Sequence, residues 1–226
     1  GITGDGTVFK VNTDGTGFAV LKNFAFGEAA NSFSAPALSG TTLYGTTAQS
    51  DGVGRGTVFK INTDGTGFVV LRNFARSEGP PTGGVILIGS TLYGTSNAGG
   101  SLGYGTIFKL NTNGTGYTVL KNFTGSGGAN PYATLTLSGT TLFGTTPYGG
   151  DLDNGTQSSG NGTVFSFSLA TSDPTYNHVT SQRLGDGRVQ LGFLGVPDFS
   201  YTLEWTHDLS SPVAWTALVT NTAPTD

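Results

Sequence analysis

The chain has 226 residues, 38 of them glycine, with 11% charged residues and a formal charge of −4. So much glycine suits short strands joined by tight turns and disfavours helices, while the lack of any basic run argues against a nucleic-acid partner, whose phosphates demand clustered Lys and Arg. No segment approaches the roughly 18 consecutive apolar residues of a bilayer span, and the absence of cysteine removes disulfides and thiolate metal sites.

In chain order, the first strands are expected at Thr7 to Val11 and Phe18 to Phe24, joined by the turn Asn12-Thr13-Asp14-Gly15-Thr16-Gly17. The strand opening Gly6-Thr7-Val8-Phe9-Lys10 returns as Gly56-Thr57-Val58-Phe59-Lys60, Gly105-Thr106-Ile107-Phe108-Lys109 and Gly162-Thr163-Val164-Phe165-Ser166. These starts are separated by 50, 49 and 57 residues, a period that marks a repeat architecture. The second copy shows its content. Thr57 to Ile61 and Phe68 to Phe74 flank an Asp-Gly turn, and past Pro80-Pro81 come Gly84 to Ile88 and Thr91 to Ser96 about a Gly89-Ser90 turn. Two hairpins per copy make the four strands of one propeller blade.

Within these strands apolar residues sit side by side, as in Val58-Phe59, Val69-Val70-Leu71 and Leu92-Tyr93. Both strand faces are therefore expected to be covered, as neighbouring blades cover each other. A β-solenoid would also bury its repeats, but its rungs are usually shorter than this period.

The elements Gly-Thr-Val-Phe-Lys, Asp-Gly-Thr, Val-Leu-Lys-Asn-Phe and Thr-Leu-Tyr-Gly-Thr-Thr resemble the Gloeo/Verruco tandem repeat of secreted verrucomicrobial and cyanobacterial proteins. The resemblance rests on Gly6, Phe9, Lys10, Gly15, Leu21, Phe24, Leu43, Tyr44, Gly45, Thr46 and their counterparts, and it covers residues 1 to about 169. It implies an extracellular propeller-like protein and brings no catalytic residues.

With blade strands lettered a to d, the array is expected to open with c and d, run through two complete blades, and close with a, b and c near Leu169. The opening Gly1 to Asp5 is similar to the loop after a Leu-Tyr-Gly-Thr-Thr strand, and there is no methionine. A processed or partial chain is expected, and the ragged edges point to a longer parent or to completion by another chain. Residues 170–175 read as a linker. Beyond it, 176–226 alternates apolar and polar residues at Val189, Leu191, Phe193 and at Tyr201, Leu203, Trp205. That pattern reads as a partial antiparallel sandwich, similar to a fibronectin-III or immunoglobulin-like module.

Chemistry is sparse. His178 and His207 lie outside the repeats, and no thiol is available as a nucleophile. Asp151 and Asp153, beside Asn154, place oxygen ligands at alternate positions, a weak Ca²⁺ candidate that lacks the third ligand of an Asp-x-Asp-x-Asp-Gly loop. No acid pair stands out as a glycosidase couple, and no cofactor is expected. The Asn-Thr-Asp-Gly-Thr-Gly turns are similar to the Asp-box hairpins of sialidases but lack their full spacing, and are read as folding elements. Asn113, Asn122, Asn154 and Asn161 each begin an Asn-x-Thr triplet, which frequent Asn-Gly-Thr turns account for.

Basic residues follow the period. Lys10, Lys60 and Lys109 share one register and Lys22, Arg72 and Lys121 another, six of the ten Lys and Arg in the chain. Arcs of cations could bind an anionic glycan, or their long stems could cover apolar strand surface. Tyr44, Tyr93, Tyr104, Tyr132 and Tyr148, expected to be exposed, could stack on sugars, although tyrosine is also an ordinary strand residue. The expected function is a non-catalytic structural or adhesive protein at the cell surface or outside the cell, self-associating or continuing into a longer chain. A polysaccharide-binding propeller is the alternative, and a glycan hydrolase a distant third.

Overall fold

The structure is a computed structural model. It describes residues 6–25, 30–49, 55–150 and 160–169, and the backbone alone of four later strands. The chain divides into two compact units, Gly1–Phe167 and Ser168–Asp226.

The first unit is all β among its described residues. Its strands are β1 (Thr7–Lys10), β2 (Ala19–Asn23), β3 (Ala37–Ser39), β4 (Thr42–Thr47), β5 (Thr57–Asn62), β6 (Val69–Asn73), β7 (Ile86–Ile88), β8 (Thr91–Ser96), β9 (Thr106–Asn111), β10 (Thr118–Asn122), β11 (Thr136–Ser138), β12 (Thr141–Thr146) and β13 (Thr163–Ser168). They form four sheets in chain order: β1-β2, β3-β4-β5-β6, β7-β8-β9-β10 and β11-β12-β13. Each is an up-and-down antiparallel blade, two strands in the first, four in the second and third, three in the fourth. In the second unit β14 (His178–Arg183) pairs with β15 (Val189–Leu194), and β16 (Ser200–Trp205) with β17 (Thr216–Thr222), all antiparallel.

The repeated sequence is explained by local geometry. Gly45 lies opposite Phe59 and Gly94 opposite Phe108 in the ladders between strands b and c. A β-carbon at Gly45, Gly94 or Gly144 would stand 2.4, 2.7 or 2.4 Å from the ring of Phe59, Phe108 or Phe165. Only glycine lets the ring lie across the neighbouring strand. Gly56, with φ +94°, has a left-handed backbone, and a β-carbon there would strike the Thr47 carbonyl. The two ends of the repeat, Tyr-Gly-Thr-Thr and Gly-Thr-Val-Phe, are thus halves of one cross-strand fit.

The turn between strands c and d is held by its own side chains. Asp64 Oδ1 accepts hydrogen bonds from Thr66 N and Oγ1 at 2.9 and 2.7 Å, and Asn62 Nδ2 donates to Thr66 Oγ1 at 3.1 Å. Asp14 does the same for Thr16, and Asn113 for Thr115. Strand d then bulges at one residue. Val58 faces Arg72 while Phe59 faces Val70, so Leu71 is the extra residue. Leu21 and Leu120 occupy the same place in their ladders.

Strand d was expected to begin at Phe68, yet it begins at Val69. Phe68 stays outside the ladder, its ring 5.6 Å from Phe59. Coverage of both faces holds for the interior c strands, where Val58, Phe59, Ile61, Ile107, Phe108 and Leu110 are all buried. It fails at the two ends of the array: Phe9 is 56% exposed and Val164 81%. Among the described residues no further blade stands beside either.

Candidate functional site

The hydrophobic core lies between blades rather than within them. Val8 and Phe24 from the first blade cluster with Phe59 and Ile61 of the second. Tyr44, Val58 and Phe74 from the second cluster with Val85, Leu92, Phe108 and Leu110 of the third. The phenylalanine that closes strand d reaches the c-strand ring of the next blade every time: Phe24 to Phe59 at 5.4 Å, Phe74 to Phe108 at 5.1 Å, Phe123 to Phe165 at 5.0 Å. Offset and edge contacts of this kind add to area burial.

The expected cation arcs meet the same joints. Lys22 Nζ sits 4.5 Å from the centre of the Phe68 ring in the next blade. Arg72, one blade on, lies 3.6 Å over Tyr117 and pairs with Glu78, whose other oxygen accepts Ala75 N. In the other register Lys10 Nζ donates to the Thr63 carbonyl of the next blade at 3.4 Å. Lys60 and Lys109 are half-buried beside Tyr44 and Tyr93, their cross-strand partners, and Tyr44, expected to be exposed for stacking on a sugar, is instead buried in the joint with the third blade. Lys121 is exposed, for the fourth blade has no d strand among the described residues to bring it a ring. Three of the six cations thus bond or stack across a joint.

Threonines complete the joint. Thr46 Oγ1 donates to the Gly83 carbonyl of the next blade at 3.1 Å, and Thr95 Oγ1 points to the Ala133 carbonyl at 3.5 Å. The following hydroxyl turns inward. Thr47 pairs with Thr57, Ser96 with Thr106 and Thr146 with Thr163, at 2.8 to 2.9 Å. Sequence reading named Thr46 and its counterparts as marks of the repeat and gave their hydroxyls no role in a joint. Their signal was present, since a threonine stands at 46, 95 and 145 in identical phase.

Burial of its ring pushes the Tyr117 hydroxyl up to about 12, with the Glu78 charge adding and Arg72 opposing. Hydrogen bonds from Thr16 and Thr66 hold the Asp14 and Asp64 carboxyls below their ordinary value. Both shifts follow from joint and turn structure. No group of three His, Asp or Glu able to hold a metal occurs among the described residues. Asp151, Asp153 and His207 lie outside the described residues, and of His178 only the backbone is described.

The blade order, its joints and its repeated motifs meet one family description: the Gloeobacter/Verrucomicrobia repeat matches residues 1–195. The chain belongs to this family. Among solved structures this Gloeobacter/Verrucomicrobia repeat chain is similar to a chain of the nidogen/laminin complex, at 17% identity and a TM-score of 0.50, covering 96% of this chain and 72% of that one. At that identity the likeness shows a shared propeller-like fold and nothing of activity. TolB from Acinetobacter baumannii is 14% identical with a TM-score of 0.47, covering 97% of this chain and 49% of that one. No curated protein matches the chain.

Proposed function

We propose that the chain is a non-catalytic extracellular repeat protein whose blades serve as a structural or adhesive array. The observation that carries this reading is what becomes of the repeated side chains. Phe24, Phe74 and Phe123, Lys22 and Arg72, Thr46 and Thr95, Gly45 and Gly94 all join one strand or blade to the next. These repeated positions are thereby occupied in contacts between strands and between blades. Nearest-neighbour joints are the defining physics of repeat arrays. In the second unit, the pairs β14-β15 and β16-β17 suit a partial sandwich. Among the described residues no helix is long and apolar enough to cross a membrane.

Purified chain incubated with polysaccharides and sialosides is expected to release no reducing sugar. Measurable turnover that tracks the protein through purification would overturn the reading.

Polysaccharide binding is the second reading, favoured by the cations that reach no ring or acceptor across a joint among the described residues, Lys60, Lys109 and Lys121. A glycan array tests it. Micromolar binding lost on Lys60→Glu with Lys109→Glu would make the protein a lectin.

A further inference from the structure

We infer that the joint between the third and fourth blades holds a buried water molecule, bound by the side chains of Thr82, Asn97 and Asn130.

Three chain segments meet there. The loop entering strand a of the third blade carries Thr82, the loop between its strands b and c carries Asn97, and the loop entering strand a of the fourth blade carries Asn130. Their backbones are tied together. The Pro80 carbonyl accepts hydrogen bonds from Thr82 N at 3.0 Å and Asn97 N at 3.1 Å. Asn130 Nδ2 donates to the Asn97 carbonyl at 2.7 Å, and Asn130 N to the Tyr104 carbonyl at 2.9 Å. With φ +57°, Asn130 has the left-handed backbone that asparagine adopts more readily than bulkier residues.

Thr82 Oγ1, Asn97 Oδ1 and Asn130 Oδ1 are each shielded from solvent and have no hydrogen-bond partner in the chain. Thr82 as a whole is only 7% exposed. Buried oxygens left unbonded are costly, so a shared partner is called for. Its chemistry follows from the donors and acceptors present. The two amide oxygens can only accept, whereas the hydroxyl can also donate. A water molecule gives its two protons to Asn97 Oδ1 and Asn130 Oδ1 and accepts the proton of Thr82 Oγ1, which matches the roughly three bonds of a typical buried water. A calcium ion fits poorly, since it takes about six to eight oxygen ligands, carboxylates among them, and none of these three groups is charged.

The site is particular to this joint. Asn97 stands where the neighbouring copies have Ala48 and Pro147, directly after the paired hydroxyls of Thr47, Ser96 and Thr146. Thr82 stands where they have Phe33 and Tyr132, at the same distance before β3, β7 and β11. Both polar residues occur in one copy, as a shared occupant requires.

A crystal structure of the full chain at atomic resolution, grown with rubidium chloride as the salt, tests this. Density is expected within hydrogen-bond distance of all three oxygens, with no anomalous signal at the rubidium edge. Thr82→Val keeps the shape of the side chain and removes the hydroxyl, so it should weaken or lose that density and lower the melting point. Thr82→Ser should retain the density. The wild-type melting point should be the same in sodium, potassium and calcium chlorides at equal ionic strength.

An anomalous peak at the site, or a melting point that rises with one cation in wild type and not in Thr82→Val, would make a metal ion the occupant and overturn the inference. So would a map in which the three oxygens bond to protein groups or border an empty gap, or density that is unchanged in Thr82→Val. None of these outcomes bears on turnover or on glycan binding, so the water site and the reading of function fail separately.

Discussion

The turn residue Asp64 shows how much one side chain does in this repeat. Its carboxylate accepts two hydrogen bonds from Thr66, and these hold it ionised below the ordinary carboxylate range. A depressed folded-state value means that the contribution is present above the unfolded value and is lost as pH falls through the folded one. NMR titration should therefore place the Asp14 and Asp64 midpoints below those of a free aspartate. Asn113 makes the same two bonds without a charge. Asp64→Asn should accordingly leave the melting point near wild type and remove this turn's share of the acid sensitivity, whereas Asp64→Ala should lower the melting point. Gly45 behaves differently. Gly45→Ala drives a β-carbon into the Phe59 ring, an overpacking expected to cost about 1–3 kcal/mol in urea denaturation. The Asp-Gly turn could be read from sequence because the signal is local. The glycine under the ring could not, as its partner is fourteen residues away across a strand pair.

Strands d and c form the element that matters most, since their side chains cross from blade to blade. Phe74 is 1% exposed against Phe108 and Tyr117, so Phe74→Ala should cost about 3–5 kcal/mol and loosen two blades together. Alkaline titration offers a second check on the same joint. The Tyr117 hydroxyl is raised to about 12 in the folded chain, so the folded state keeps its proton when the unfolded state has lost one. Stability from this group is complete below about pH 10 and declines as pH climbs toward 12. Absorbance of the phenolates should show a late step that disappears in Tyr117→Phe, a variant expected to fold well because Phe68 fills that position one blade earlier. Strand order and grouping were legible in the sequence through Gly, Asp-Gly and paired apolar residues. The joints were not. Lys22 and Arg72 read either as an arc of cations or as long stems over apolar strand surface, and nothing in one strand reveals that a ring from the next blade lies beneath each cation.

At the scale of the whole molecule, a covalent repeat and a blade are out of step. The sequence period begins at strand c, so each copy supplies c and d to one sheet and a and b to the next. Removing residues 56–104 would join β4 to β9 and leave β3-β4-β9-β10 as a complete sheet, with Phe24 meeting Phe108 in place of Phe59. That shortened chain should express in soluble form and its array should keep a cooperative unfolding transition by calorimetry, since nearest-neighbour joints are all that an array needs. A cut of the same length starting at strand a would leave Gly56-type and Tyr-Gly-Thr-type segments intact as well, because the period closes on itself. The shared period, at whatever phase it is cut, therefore makes array length adjustable by one whole unit at a time, and every product inherits seams that already match.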